Sequence, residues 1–238
     1  MLMSDPGHHS LPNCISAAFF DLDGTLVENV EHVVDSYLDA LLHFKLPTTT
    51  RQHLRDIQGL SFEATCNVIG VPEDLVADFS VVFWKKMEVF NSTPELLPGV
   101  LELLHYLDKH NIPMSIVTNN RTHIAKAACK MAGIDHFFKN YLGSDVVDAK
   151  PNPAGILKLC SLHNIVPSEE VLYIGDSSSD MKAAMNAKVT GVWVVSSKDF
   201  EVRYTNDLNQ YFDDCGFRFS YFPCCLNFKK QLALKMGC

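Results

Sequence analysis

The 238-residue sequence contains no unbroken apolar run of roughly 18 residues or more, so no membrane-spanning helix is expected. Its start, M-L-M-S-D-P-G-H-H-S, lacks a positively charged segment followed by an apolar one, the pattern of a secretory leader, and residues 1–14 read as a disordered tail. Positive charge is in deficit. Against 28 Asp and Glu stand 20 Lys and Arg, a net charge of −8, which argues against nucleic acid as the main partner because phosphate backbones are bound by basic surfaces. Any bound anion must therefore be held locally. The eight cysteines include no C-x-x-C pair and form no even framework, so free thiols in a reducing, cytoplasmic setting are expected. Cys215, Cys224, Cys225 and Cys238 crowd the C-terminus, but without ligand pairs or histidine partners at zinc spacing. Lys235, fourth from the end, is not the Cys that a prenylation signal requires.

What is present is the composition of a soluble globular protein, 47% apolar and 20% charged, long enough for one full α/β core and a modest second unit. The pivotal stretch is I-S-A-A-F-F-D-L-D-G-T-L, residues 15–26. Its apolar run, 15–20, reads as a strand buried on both faces. Asp21 and Asp23 follow at once, and Gly24 lets the chain turn, so both acids stand at the carboxyl end of a buried strand, where open α/β sheets bind ligands. Two ionised acids this close call for a cation or a shared proton, and a hard, oxygen-loving ion such as Mg²⁺ fits best. An acidic strand-to-helix turn with a capping Asp would look the same. An EF-hand fits less well, because Gly24 falls at the fourth place from Asp21 rather than the sixth and no Glu follows in register.

Helical spacing then dominates. Val30, Val33, Val34, Tyr37, Leu38, Leu41 and Leu42 form one stripe, ended by Pro47. A short helix is expected over 50–57, a third capped by Ser61 and closed by Gly70, and a fourth beginning at Pro72 and carrying Leu75, Phe79, Val82, Phe83, Met87 and Phe90. Residues 91–94 read as a linker. From Glu95 onward helix and strand alternate, with strands expected at 114–118, 140–144, 171–174 and 190–195 and helices at 154–163 and 181–187, the rhythm of a parallel sheet. The strand at 15–20 must join that sheet. The expected fold is thus α/β: a Rossmann-like parallel-sheet core (15–26 and 95–215) with an inserted four-helix cap domain (27–94). Residues 216–238, aromatic and then basic, form a C-terminal extension of unassigned role, read as packing on the core or fraying.

Each later strand ends in a polar residue suited to an anion. Thr118 closes S-I-V-T and is followed by Asn119 and Asn120; Lys150 stands in A-K-P-N-P, where prolines stiffen the loop; G-D-S-S-S-D places Asp176 at a strand tip and Asp180 one helical turn on. Singly, each is a helix cap or a solvated charge. Together with Asp21 and Asp23, the further acids make an oxygen site for a divalent cation.

The ordered set D-L-D-G-T-L, S-I-V-T-N-N, A-K-P-N-P and G-D-S-S-S-D resembles the four motifs of the haloacid dehalogenase superfamily, over nearly all of residues 15–213. The insert after the first motif, and L-P-G-V at 97–100, resemble the phosphoglycolate phosphatase-like and β-phosphoglucomutase-like members with a small helical cap. The resemblance implies a phosphatase acting on a small phosphorylated metabolite, of phosphoglycolate or sugar-phosphate type, in a monomer or weak dimer. It implies Asp21 as nucleophile, Asp23 as general acid and base, and Mg²⁺ held by Asp21, the Asp23 backbone carbonyl and Asp176. Thr118, Asn119 and Lys150 would bind the phosphoryl oxygens, and Asp180 would support the metal's water shell or Lys150. Gly59, in Q-G-L-S, matches the glycine of the cap's specificity loop, and Arg51, His53 and Arg55 beside it would suit an anionic leaving group.

Three departures separate the alternatives. Asp23 argues against dehalogenation, which needs no second acid; Thr25 and T-N-N argue against a mutase; and Lys85 and Lys86, flanking an apolar stripe, look like a solvated face rather than a phosphonatase's Schiff-base lysine. A catalytically silent binding protein of the same fold is the competing class.

Overall fold

A computed structural model describes residues 11–89, 94–194, 219–222 and 225–235. At its centre lies β1 (Ala17–Phe20), whose four side chains are all fully buried, as a strand without a polar face must be. β1 pairs in parallel with β4 (Met114–Val117) on one side and β6 (Val171–Gly175) on the other. β5 (Phe138–Leu142) extends the sheet beyond β4, and β7 (Thr190–Val194) extends it beyond β6. β8 (Phe219–Phe222) completes a six-stranded parallel sheet of order β5-β4-β1-β6-β7-β8. Because the chain winds from β1 first toward β4 and later toward β6, the carboxyl end of β1 is a topological switch point, the place where such sheets leave a crevice.

Helices α5 (Val100–Lys109), α6 (Thr122–Met131), α7 (Ala154–Leu162) and α8 (Ser178–Ala187) supply the crossovers. α8 begins three residues before the expected 181 because Ser177 caps it: Ser177 accepts from the Asp180 backbone N–H while the Asp180 carboxylate accepts from the Ser177 N–H. β5 sits two residues upstream of its expected start, since Phe138 is buried and pairs with Met114. Residue 195, the expected end of the last core strand, lies outside the described residues.

The chain leaves the core at β2 (Val27–Glu28) and returns at β3 (Glu95–Leu96), which pair antiparallel into a two-stranded stalk. Between them run α1 (Val30–His43), α2 (Arg51–Asp56), α3 (Phe62–Val68) and α4 (Val76–Met87). These four helices bury their own aromatic centre, with Tyr37 4.3 Å from Phe83 and Phe62 5.1 Å from Phe83, centroid to centroid. Ser61 caps α3 as expected, its Oγ accepting from the Ala64 N–H at 3.2 Å. Pro72 opens a 3-10 turn, Glu73–Leu75, rather than α4 itself. Of the expected linker, residues 91–93 lie outside the described residues.

At the ends, one expectation changes and one becomes definite. Leu11, assigned to a disordered tail, is 4% exposed and packs into the core cluster. The C-terminal residues supply β8 and α9 (Cys225–Lys235), which packs on α5 and buries Cys225, Phe228 and Leu232 in the same cluster. Among the described residues no helix is long and apolar enough to cross a membrane.

Candidate active site

β1 delivers Asp21 to the crevice with its backbone fixed, the N–H donating to the Ile174 carbonyl at 2.8 Å. The chain turns back immediately: the Leu22 carbonyl accepts from the N–H groups of Thr25, Leu26 and Val27. Gly24 makes this turn at φ 82°, and a Cβ there would stand 2.5 Å from Asp176 Oδ2. Glycine is therefore required both for the backbone angle and for the close approach of the first loop to Asp176. The Thr25 hydroxyl seals the approach by donating to Asp176 Oδ1 at 2.8 Å.

The loop after β6 holds Asp176, and the capping box fixes Asp180 in its first helical turn. Lys150, 3% exposed, reaches between two acids, 2.7 Å from Asp21 Oδ1 and 2.6 Å from Asp180 Oδ1. Asp180 also accepts from the Tyr173 hydroxyl at 3.2 Å and from the Ser177 N–H at 2.9 Å. The backbone of Lys150 is clamped by Asn119, which accepts from the Lys150 N–H at 2.7 Å and donates to the Lys150 carbonyl at 3.2 Å. Thr118, buried at the tip of β4, accepts from the Asn120 N–H at 3.1 Å. Asp23 stands apart from the buried acids. Its two carboxylate oxygens accept from Asn29 at 2.8 Å and from Asn120 at 3.2 Å.

The electrostatics follow from this crowding. Burial pushes the Asp21 carboxyl well above the usual carboxylate range; Lys150 pulls it back, and Asp180 and Asp176 push it up again. Burial opposes the Lys150 ammonium, but Asp180 and Asp21 outweigh it and hold its pKa above the ordinary lysine value. Asp21, Asp176 and Asp180 each offer an oxygen, and these oxygens all lie within 4.8 Å of one another. One lysine against three buried carboxylates leaves negative charge uncompensated, and the donors are all hard oxygens, so the residues fit a divalent cation of the Mg²⁺ kind.

The inserted helices close over this edge. The Gly59 carbonyl accepts from the Ser179 hydroxyl at 2.6 Å and from Asn119 Nδ2 at 3.3 Å. Gly59 takes φ 91°, and a Cβ would come within 2.5 Å of Ser177 Cβ, so only glycine lets the loop settle here. The cleft beneath, about 540 Å³ including the solvent at its mouth, is lined by Asp21, Asp23, Thr118, Asn119, Asn120 and Lys150 below and by the cap above.

All of Asp21, Asp23, Thr118, Asn119, Lys150, Asp176, Asp180 and Gly59 thus meet at one sheet edge. Arg55 is not among the residues lining the cleft: its Nε donates to Glu31 Oε1 at 2.7 Å, and Arg51 pairs with Asp35 and Glu31. Both arginines pair with acids of α1. Thr25 and Ser179 were quoted in their motifs but given no place in the site; Asn29 and Tyr173 carried no signal, because each is brought in by the stalk or the sheet.

A parallel sheet with acid-bearing strand tips under a helical insert defines a capped, Rossmann-like α/β protein. The chain belongs to the haloacid dehalogenase-like hydrolase family, whose sequence model matches residues 18–194. It is 30% identical over 185 residues to a phosphoglycolate phosphatase of Mannheimia succiniciproducens, covering 73% of this chain and 82% of that protein. It is also 29% identical over 201 residues to the pyrophosphatase PpaX of Listeria welshimeri, covering 81% and 90%. In three dimensions it resembles a hydrolase from Pseudomonas syringae at a TM-score of 0.73, 23% identity, and 92% and 98% coverage.

Proposed function

We propose that this enzyme is a Mg²⁺-dependent phosphatase that hydrolyses a small phosphorylated metabolite through an aspartyl-phosphate intermediate. The observation that carries the reading is the pairing of roles in the first loop. Asp21 is buried against Lys150, while Asp23, two residues on, is held by neutral amides and faces the same cleft. The relatives named phosphoglycolate phosphatase and pyrophosphatase support phosphoryl chemistry of this kind.

In the first step an Asp21 carboxylate oxygen bonds to phosphorus as the P–O bond to the leaving alcohol breaks, and Asp23 gives that oxygen its proton. In the second, Asp23 takes a proton from water as the water oxygen attacks phosphorus, freeing inorganic phosphate and restoring Asp21. Thr118, Asn119 and Lys150 bind the phosphoryl oxygens; Asp180 positions Lys150. Asp21, Asp176 and the Asp23 backbone carbonyl would hold Mg²⁺, which would supply charge neutralisation and alignment of the phosphoryl group. Residues 27–94 serve as the cap that shuts water out, over a core of 15–26 and 95–215 extended by β8 and α9.

The test is phosphate release from a panel of small phosphate esters, with Mg²⁺ and with EDTA, for wild type and Asp21→Asn. Release is expected only with metal, and the variant should lose at least about 10³-fold in kcat while keeping its circular dichroism. Chelator-indifferent turnover, or an active variant, overturns the assignment.

A further inference from the structure

Apart from Gln58, Gly59 and Tyr37, the cap's contribution to the cleft is apolar. Above the acids and amides stand Val33, Leu60, Phe62, Phe83, Trp84 and Met87. Tyr37, 6% exposed, stands among them. Among the described residues lining the cleft the only cation is Lys150, and both of its close partners are carboxylates of the site itself. The arginines beside the loop, Arg51 and Arg55, are taken up by Glu31 and Asp35. Arg121 lies outside the lining, with its guanidinium 4.8 Å from the centroid of the Trp84 ring. A carboxylate or second phosphate on the leaving group would therefore meet a desolvating wall without a counter-charge, and two acids below it.

Resting on the phosphatase reading above, we infer that the substrate is a phosphate monoester of an uncharged alcohol bearing an apolar or aromatic face, and that Leu60 is its specificity-determining contact. Leu60 is 39% exposed, so it lies at the open part of the cleft next to the Gly59 carbonyl that anchors the cap loop. The buried rings of Phe62 and Trp84, 5.6 Å apart, form the wall behind it. Apolar contact of this kind selects modestly, by roughly tenfold for each group buried, whereas an unpaired charge is rejected more strongly.

The experiment compares kcat/KM for 2-phenylethyl phosphate and 2-carboxyethyl phosphate, two primary alkyl esters of similar intrinsic leaving ability, with p-nitrophenyl phosphate as a reactive control. The wild type is expected to favour the phenylethyl ester by at least about tenfold. Leu60→Arg should shrink or reverse that ratio, chiefly through KM, by placing a cation where the leaving group lies. A wild-type preference for the carboxyethyl ester overturns the inference while leaving the phosphatase reading intact, whatever becomes of the variant. A ratio unmoved in a folded Leu60→Arg enzyme removes Leu60 from its role. Failure to release phosphate from all three esters with Mg²⁺ present overturns the phosphatase reading and, with it, this one.

Discussion

Lys150 shows how a single residue organises the site. Its ammonium is out of water, yet two carboxylates within 2.7 Å keep it charged, so it can turn toward a phosphoryl group without having to find its proton again. The cysteines illustrate the opposite case, groups kept neutral by burial. Burial pushes the Cys66 and Cys129 thiols up to about 12 and Cys160 up to about 11. Because the folded values exceed the unfolded ones, these thiols favour the fold fully below the unfolded value of about 8.5, and that contribution is lost as pH rises through 11 to 12. At pH 8, iodoacetamide should modify exposed Cys14 and leave those three intact in the native protein, and the urea midpoint should fall above about pH 9. Labelling of Cys66 as fast as Cys14 would contradict this. Asp21, Thr118 and Asp176 were legible in the sequence because each follows an apolar run that must be a strand, whereas Lys150, eight residues beyond β5, was legible only through the ordered set of motifs. Arg55 was misplaced because its partner, Glu31, is 24 residues away on another helix, and sequence proximity to Gly59 says nothing of which way a helix faces.

At the scale of elements, the meeting of the Gly59 loop with the α8 N-terminus is one of the contacts that join cap to core. Ser179 donates to the Gly59 carbonyl, and Ser177, which caps α8, lies where a Gly59 side chain would go. Gly59→Ala must therefore either strain a φ of 91° or lift the loop from Ser177. The expected result is a loss of roughly tenfold or more in kcat/KM, at a stability cost of about 1–2 kcal/mol, with phosphate release still Mg²⁺-dependent. Wild-type kcat/KM in this variant would show that the loop does not need to seat for catalysis. Sequence spacing found all four cap helices and Ser61 as the cap of α3, since stripes and caps are local. The stalk of β2 and β3 was missed as structure because each strand is only two residues long and pairs across 68 positions or so of chain, from Val27 to Leu96.

For the molecule as a whole, the decisive feature is that the sheet does not end with β7. Phe219–Phe222 adds a sixth parallel strand, and α9 returns across α5 to fill the core beside Phe222. This was not legible: F-S-Y-F is a short run, far from its partner strand in pattern, and the residues leading into it show no repeat of strand and helix. The consequence for stability is large. Removing residues 219–238 would strip Phe222, Phe228 and Leu232, 5%, 0% and 0% exposed, from the central cluster and uncover the edge of β7, where Trp193 is 2% exposed. At about 1.5–3 kcal/mol for each buried apolar side chain, the loss is comparable with the whole stability of a domain of this kind. The truncated protein is expected to aggregate on expression or to melt far below wild type, since the exposed β7 edge offers unpaired backbone to other chains. Phe228→Ala gives the graded version of the same test, with an expected cost of about 3–5 kcal/mol in urea denaturation and no direct effect on the cleft. A truncated enzyme with the wild-type melting temperature would mean that β8 and α9 lie on the sheet without holding it.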